Sequence, residues 1–460
     1  MKLRLLSGIC ACATLVTVVP AEKLAPEYYS GGDTTVFVEN NKAFSRPLAN
    51  IQPKSLRHHS IGNSFFNQNW IEGPASAAGR DGLGPLFNAR SCSACHPHDG
   101  KGRPLMKGIN RLGMVTRISI PGLGEHGAPL GDPRYGSQFA NFALPSLEPE
   151  ARVRIDFRKT PYVFNGQTFL LRKPKLAVRD LKMGPLHEEV MFSNRLAPPV
   201  HGMGLIDELA AETILSFADP EDRDGDGISG RPNIVWDRQL QKKRIGKFGW
   251  KASQPSLKQQ IADAFLNDIG ITSSLFPGEA LTPHQAGVMK IGEGHGGGNP
   301  EASDKVIDRV TAYLATIAPP ARRDLEKDSV VSGRVLFREI GCADCHIPEM
   351  KTRTDASLPE LANQTIRPYS DFLLHDMGPE LADGRPDFAA GGREWRTPPL
   401  WGIGLQSVVS RHSFYLHDGR AQNVIEAILW HGGEGGKSRD KFVSLSQKEK
   451  EDLFHFLQSL

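Results

Sequence analysis

The sequence predicts a mainly α fold in which one module occurs twice, with a small β insert in the first copy. Three observations lead there. Cys-x-x-Cys-His is written twice, at Cys92-Ser-Ala-Cys95-His96 and at Cys342-Ala-Asp-Cys345-His346. Each copy follows a Leu-Phe pair, Leu86-Phe87 or Leu336-Phe337, and precedes a second shared landmark. That landmark reads Pro198-Pro199-Val200-His201-Gly202-Met203-Gly204-Leu205 in the first half and Pro398-Pro399-Leu400-Trp401-Gly402-Ile403-Gly404-Leu405 in the second. Between the landmarks, several segments carry apolar residues at helical spacing.

The elements follow in order. Lys2 and Arg4 precede an apolar run from Leu5 to Val19, and Val19-Pro20-Ala21 offers small residues for cleavage, so residues 1–21 read as an export signal. Ile9-Cys10-Ala11-Cys12 leaves a lipid anchor as the alternative. Residues 22–59 form an extension, and residues 60–325 the first module. The two landmarks repeat at different offsets, so the first module holds extra chain between them. Arg152-Val153-Arg154-Ile155-Asp156-Phe157 alternates with period two, and Tyr162 to Phe169 reads as a hairpin about Asn165-Gly166. These make the β insert. Ser256 to Ile269 and Asp304 to Thr316 have helical spacing and end near Gly or Pro. Residues 326–460 form the second module, whose last helix opens with the capping box Ser446-Gln447-Lys448-Glu449 and buries Leu453, Phe454, Phe456 and Leu457. A chain of 460 residues accommodates two or three domains, and 47 glycines with 33 prolines imply many turns. The net charge of +3 and the absence of a long basic run give no sign of nucleic-acid binding.

Cys-x-x-Cys-His is the attachment spacing of a c-type haem: two thiols form thioethers and the histidine supplies an axial nitrogen to iron. The chain has six cysteines, and beyond Cys10 and Cys12 all four belong to the motifs. A zinc site or structural disulfides are the alternatives, but a zinc ribbon sets its cysteine pairs much closer. The modules are thus expected to be cytochrome-c-like units holding two covalent haems at Cys92, Cys95 and His96 and at Cys342, Cys345 and His346.

What fills the second axial position separates a carrier from an enzyme. In the second module the predicted helix from Val424 ends at His431, which reads as a sixth ligand or as a helix-end histidine interacting with the dipole. Matching Glu212 to Glu426 sets Phe217 where His431 stands, so the first iron lacks an evident ligand there. Asp207, Glu208 and Glu212 lie nearby in sequence and are candidate proton-transfer groups, with a solvated helix face as the alternative. His98, His126, His187 and His201 are further candidates that spacing does not rank. Trp401 is a candidate bridge between the irons, or a core residue.

The chain resembles the di-haem cytochrome c peroxidase superfamily. The resemblance rests on Leu83-Gly84-Pro85-Leu86-Phe87, Arg396-Thr397-Pro398-Pro399-Leu400 and Leu416-His417-Asp418-Gly419-Arg420. It is closest to the di-haem oxidoreductase branch sometimes labelled "thiol oxidoreductase", through Arg80 to Arg90, Leu373-Leu374-His375-Asp376-Met377-Gly378 and Trp430-His431-Gly432-Gly433-Glu434. The resemblance runs from about Ser60 to the C-terminus. It implies that peroxide binds at the N-terminal haem and that a donor, such as a small cytochrome c or a cupredoxin, feeds the C-terminal haem. It also implies calcium. The usual sixth ligand of the C-terminal haem is methionine; here His431 stands there, and bis-histidine ligation lowers a potential relative to His/Met. No free cysteine supports the "thiol" label.

Asp222, Asp224 and Asp226 alternate with Gly225 and Gly227 as at the start of a calcium loop, or as a turn of solvated acids. Position twelve of that loop is Asn233 rather than the closing Glu. The expectation is therefore a periplasmic di-haem oxidoreductase that passes electrons from the C-terminal haem to an oxidant such as hydrogen peroxide. The alternatives are an enzyme oxidising a protein or metal-linked substrate, and a two-haem carrier without catalysis. A homodimer is left open.

Overall fold

A computed structural model describes residues 24–76, 79–104, 113–295 and 300–460. The expected leader, with Cys10 and Cys12, lies outside the described residues.

The mainly α expectation, with two cytochrome-c-like modules, is corrected by the structure. The fold is mixed α/β, with 32% helix and 20% strand. Among the described residues the strands form six sheets, five of them two-stranded. The physical reason is length. Most strands span two to four residues, such as Leu374–Asp376 against Glu394–Arg396. A strand that short shows no period-two pattern, so composition rich in Gly and Pro reads as loop.

The predicted helices form where apolar spacing was strongest. Leu257–Ala264 starts at Ser256, whose side chain accepts from the Gln259 amide, and continues as a π turn to Ile269 before Gly270 reverses the chain at φ 73°. Asp304–Ala315 buries Val306, Ile307, Val310, Tyr313 and Leu314. The capping box at Ser446 and Glu449 is present, and the helix Gln447–Ser459 buries Leu453, Phe456 and Leu457 while Phe454 stays 37% exposed. Two long helix pairs frame the molecule. Pro53–Asn67 crosses Asp304–Ala315 at Gly62, where a Cβ would overlap the Arg309 carbonyl. Asp328–Glu339 crosses Gln447–Ser459 at Gly333, where a Cβ would overlap the Asp452 carbonyl. Absence of a side chain permits each close approach.

The expected β insert is larger than its sequence signals. Arg152–Phe164 and Gln167–Arg179 pair along their whole length as one hairpin, hereafter the strap. Asn165 (φ 46°) and Gly166 (φ 76°) supply the two positive φ values of its tight turn. The strap does not stay with the first motif. Near its base Val153 and Ile155 are buried beside Met114–Leu123, but its tip lies on the C-terminal part of the chain. There Asn165 donates to the Asp440 carbonyl, Gln167 to that of Val443, and Arg172 to those of Gly419 and Arg420.

Candidate haem sites

Each Cys-x-x-Cys-His motif forms one tight turn, so that two sulfurs and a ring share one side. In the first, Cys92–Cys95 is a single helical turn and His96 follows as its cap. His96 Nδ1 lies 2.7 Å from the Pro198 carbonyl, the start of the Pro-Pro landmark. That bond places the proton on Nδ1 and leaves Nε2 as a lone-pair donor. Burial pushes the ring down to about 4, so it is neutral, and pushes both thiols up to about 12. Such thiols are poor nucleophiles toward free electrophiles.

The second motif repeats the device with a different carbonyl. Gly341 turns the chain at φ 90° into Cys342–Asp344, and His346 Nδ1 lies 2.8 Å from the Tyr369 carbonyl. His431 sits just past the helix Val424–Leu429, its Nδ1 2.8 Å from the Ala427 carbonyl. Cys342, Cys345, His346 and His431 line one cavity of about 280 Å³. Burial holds both rings below the ordinary histidine range, and His431 depresses His346 further. The donor set fits a haem: two sulfurs, and two neutral rings that each offer Nε2 to a shared apolar space.

The loop that carries His431 is held by a buried cluster. His375 Nε2 lies 2.8 Å from Asp371 and its Nδ1 2.7 Å from Glu434, with Cys345 Sγ at 3.6 Å. Burial alone would lower this histidine, but its bonds to Asp371, Cys345 and Glu434 hold it well above the ordinary value, so the ring is charged. Glu434 also accepts from the amides of Ser229 and Asp376. Gly433 takes φ 52°, and a Cβ there would overlap the Asp376 carbonyl. Cys345, Asp371 and His375 bring ligand-type atoms together, but the hydrogen bonds already use both ring nitrogens.

Trp401 is buried and lies between the halves. A Cβ on Gly202 would overlap its indole, and its carbonyl meets His201 Nε2 at 3.1 Å. The two Pro-Pro landmarks therefore touch. Pro198, Pro199, His201 and Trp401 all line the same cavity as the second motif. His417, stacked on Trp395 at 3.7 Å, lines it too, as does Lys101, which burial brings down to about 7 against the pull of Asp418.

The predicted acids have the following partners. Glu208 is buried in a clip to Arg353 at 2.6 Å and to the amide and hydroxyl of Ser357. Asp207 accepts from the Leu257 amide, with Lys247 at 3.7 Å, and burial raises it above the usual carboxylate range. Glu212 is exposed, and Phe217 packs on the main core. Of the further histidines, His98 is exposed, His126 stacks on Trp236, His187 accepts from the Glu189 amide, and His201 is the buried contact to Trp401. Asp222, Asp224 and Asp226 do gather within 4.8 Å of one another. Asn233 is elsewhere, bonded to the Lys251 and Asp387 carbonyls.

Sequence reasoning passed over a different acid. Asp268 accepts from Gln138 at 2.8 Å, and its charge acts on both Cys92 and Cys95. Burial pushes its carboxyl up to about 6, against the pull of Arg117, which itself pairs with Asp263 at 2.9 Å. The only sequence signal was its place at the end of a predicted helix. His375 and Glu434 stood in segments already singled out, but their pairing across 59 residues of chain is tertiary.

A family model described as "Di-haem oxidoreductase, putative peroxidase" matches residues 26–117 and 163–460. The stretch it leaves out holds most of the first strand of the strap. No curated protein matches the chain.

Proposed function

The chain belongs to the di-haem oxidoreductase family, and from that premise we propose that it moves electrons from a C-terminal to an N-terminal haem, where an oxidant such as hydrogen peroxide is reduced. One observation carries this reading. The second motif has a neutral histidine, His431, facing His346 in a shared cavity, whereas among the described residues His96 interacts with a backbone carbonyl and no second histidine. A pair of unequal irons suits entry at one and chemistry at the other.

Cys92 with Cys95, and Cys342 with Cys345, hold the haems as thioethers. Haem held by Cys92, Cys95 and His96 would supply redox-active iron able to reduce an oxidant. The protein supplies the rest. His96 is oriented by Pro198. Asp268 is the proton-holding group at this site: a buried carboxyl near 6 retains its proton in mildly acidic solution and can surrender it near neutrality. Gln138, which donates to Asp268, and Arg117, whose charge acts on it from its pair with Asp263, stabilise the anion and set that balance. Asp207 and Glu208 keep structural roles instead. Trp401, between the two landmarks, bridges the sites for electron transfer. Asp222, Asp224 and Asp226 take a calcium ion. The protein works in the periplasm with a small cytochrome c or a cupredoxin as donor, a reading supported by the signal-like residues 1–21 and by the two Cys-x-x-Cys-His motifs. No helix among the described residues is long and apolar enough to cross a membrane.

The test is spectroscopic and kinetic. The exported holoprotein should show one high-spin ferric signal beside one low-spin signal, and peroxide should alter only the first. A His96→Ala variant should lose the high-spin signal and peroxide turnover. Two low-spin haems in every oxidation state, indifferent to peroxide, would leave the carrier reading.

A further inference from the structure

The strap is a strongly basic stretch of a chain whose net charge is only +3. Residues 152–179 carry eight basic side chains and one carboxylate, Asp156. Arg158, Lys159, Lys175 and Arg179 are exposed and form no ion pair among the described residues. The register sets Arg158 opposite Lys173 and Lys159 opposite Arg172. Like charges facing one another across a strand pair are destabilising, so the hairpin's own stability does not explain them. Near the turn the outward residues are apolar instead: Val163 is 66% and Leu170 60% exposed.

The inward face at that point leads to the second motif. Tyr162 is half-buried, and its ring meets the buried Trp430 edge-on at 5.1 Å. Trp430 immediately precedes His431. Its indole nitrogen has no hydrogen-bond partner, and the Arg420 guanidinium lies over the ring at 4.9 Å. Two aromatic rings therefore connect the exposed tip of the strap to the histidine that faces His346. The family model does not match residues 118–162, which hold Arg158, Lys159 and Tyr162.

We propose that the strap is the docking surface for a small one-electron carrier protein with an acidic face, and that Tyr162 and Trp430 form the route from it to the C-terminal haem. The inference rests on the haem ligation proposed above for His346 and His431. The electron balance is simple: one electron leaves the reduced carrier, and the ferric C-terminal haem becomes ferrous, with no bond made or broken. Lys159 lies on the face of Val163 and Leu170, and Arg158 and Lys175 on the other face of the ribbon; together they give such a partner long-range attraction beside an apolar contact, the combination that raises association rates. An anionic lipid surface would meet the same residues, but it brings no electron to the aromatic pair behind them.

The experiment uses the exported holoprotein, a reduced cupredoxin with an acidic face, and a small basic cytochrome c for contrast. Binding is followed by titration calorimetry at two ionic strengths, and haem reduction by stopped-flow absorbance. The triple variant Arg158→Glu, Lys159→Glu, Lys175→Glu should bind the cupredoxin at least about tenfold more weakly at low salt, with the difference shrinking at high salt. Tyr162→Leu should keep the affinity and lose most of the transfer rate. Circular dichroism and thermal melting confirm that these surface variants fold. Unchanged affinity in the triple variant overturns the proposal, as does a wild-type preference for the basic cytochrome. Strap-dependent binding to phosphatidylglycerol vesicles without binding to the cupredoxin overturns it too. Ascorbate with a mediator should reduce the C-terminal haem equally in every variant. If it does so while the strap variants behave as wild type, this inference alone falls. If it fails even in wild type, the haem assignment falls with it.

Discussion

His375 shows how one ring can set the position of another. It touches Cys345 on the attachment side and Glu434 on the ligand loop, while Asp371 fixes its far nitrogen. Replacing it leaves two buried carboxylates without their cation, so His375→Leu should lower stability by about 3–5 kcal/mol in thermal or urea unfolding. His375→Gln should keep more of that stability yet loosen the loop, which would appear as a partial loss of the low-spin bis-histidine signal at the C-terminal haem. An unchanged spectrum in both variants would show that His431 is positioned without the clamp. Asp268 makes a pH prediction. Its folded-state carboxyl is pushed up to about 6 from an ordinary value near 3.8. The folded form thus binds the proton more tightly than the unfolded form. Its contribution is full below about pH 4, falls between pH 4 and 6, and is lost above, by about 3 kcal/mol in total. Asp268→Asn should flatten this part of the stability–pH curve; an unaltered slope would place the titration elsewhere. At this scale the sequence was half legible. Cys92, His96, Cys342 and His346 announce themselves by covalent spacing. Asp268 does not, because a carboxylate becomes a proton store only through the burial that tertiary packing imposes.

The helix crossings and the ligand loop rest on missing side chains. Gly62→Val and Gly333→Val each push a Cβ into a facing backbone carbonyl, which cannot rotate away as a side chain can. Each should cost about 3 kcal/mol or more, read as a lower melting temperature. Gly433→Ala adds a positive φ of 52° to an overlap with the Asp376 carbonyl. It should therefore disturb the His431 loop more than the global fold, with a spectral change out of proportion to any loss of melting temperature. Helices such as Asp304–Ala315 were readable because a buried stripe repeats over three turns. The strap was readable at its turn and at one strand, since Asn-Gly demands positive φ and Arg152 to Phe157 alternate. Its continuity was hidden because the inward face changes along it: Val153 and Ile155 point in near the base, whereas Tyr162 and Phe164 point in at the tip. A strand that switches faces breaks its own alternation.

Across the whole molecule, the decisive feature is the inequality of the two motifs. His431→Ala should open an axial position at the C-terminal haem, turning a low-spin signal high-spin and raising its potential as a strong ligand to ferric iron is lost. Electron entry from a donor should slow, while the N-terminal haem keeps its own spectrum. An unchanged C-terminal signal would exclude His431 as ligand. The sequence by itself determined which cysteines and histidines are grouped at haem-attachment spacing and where the last helix begins, because Cys-x-x-Cys-His and a capping box are local patterns. It also singled out His431 by its place at a helix end. Only the tertiary structure decided that the chain is mixed α/β and that the strap reaches over to the C-terminal ligand helix. The same holds for Glu208, occupied by Arg353, and for Asp268, which stands beside the first pair of cysteines. Those outcomes depend on which distant groups share a low-dielectric interior, and sequence separation carries no information about that distance.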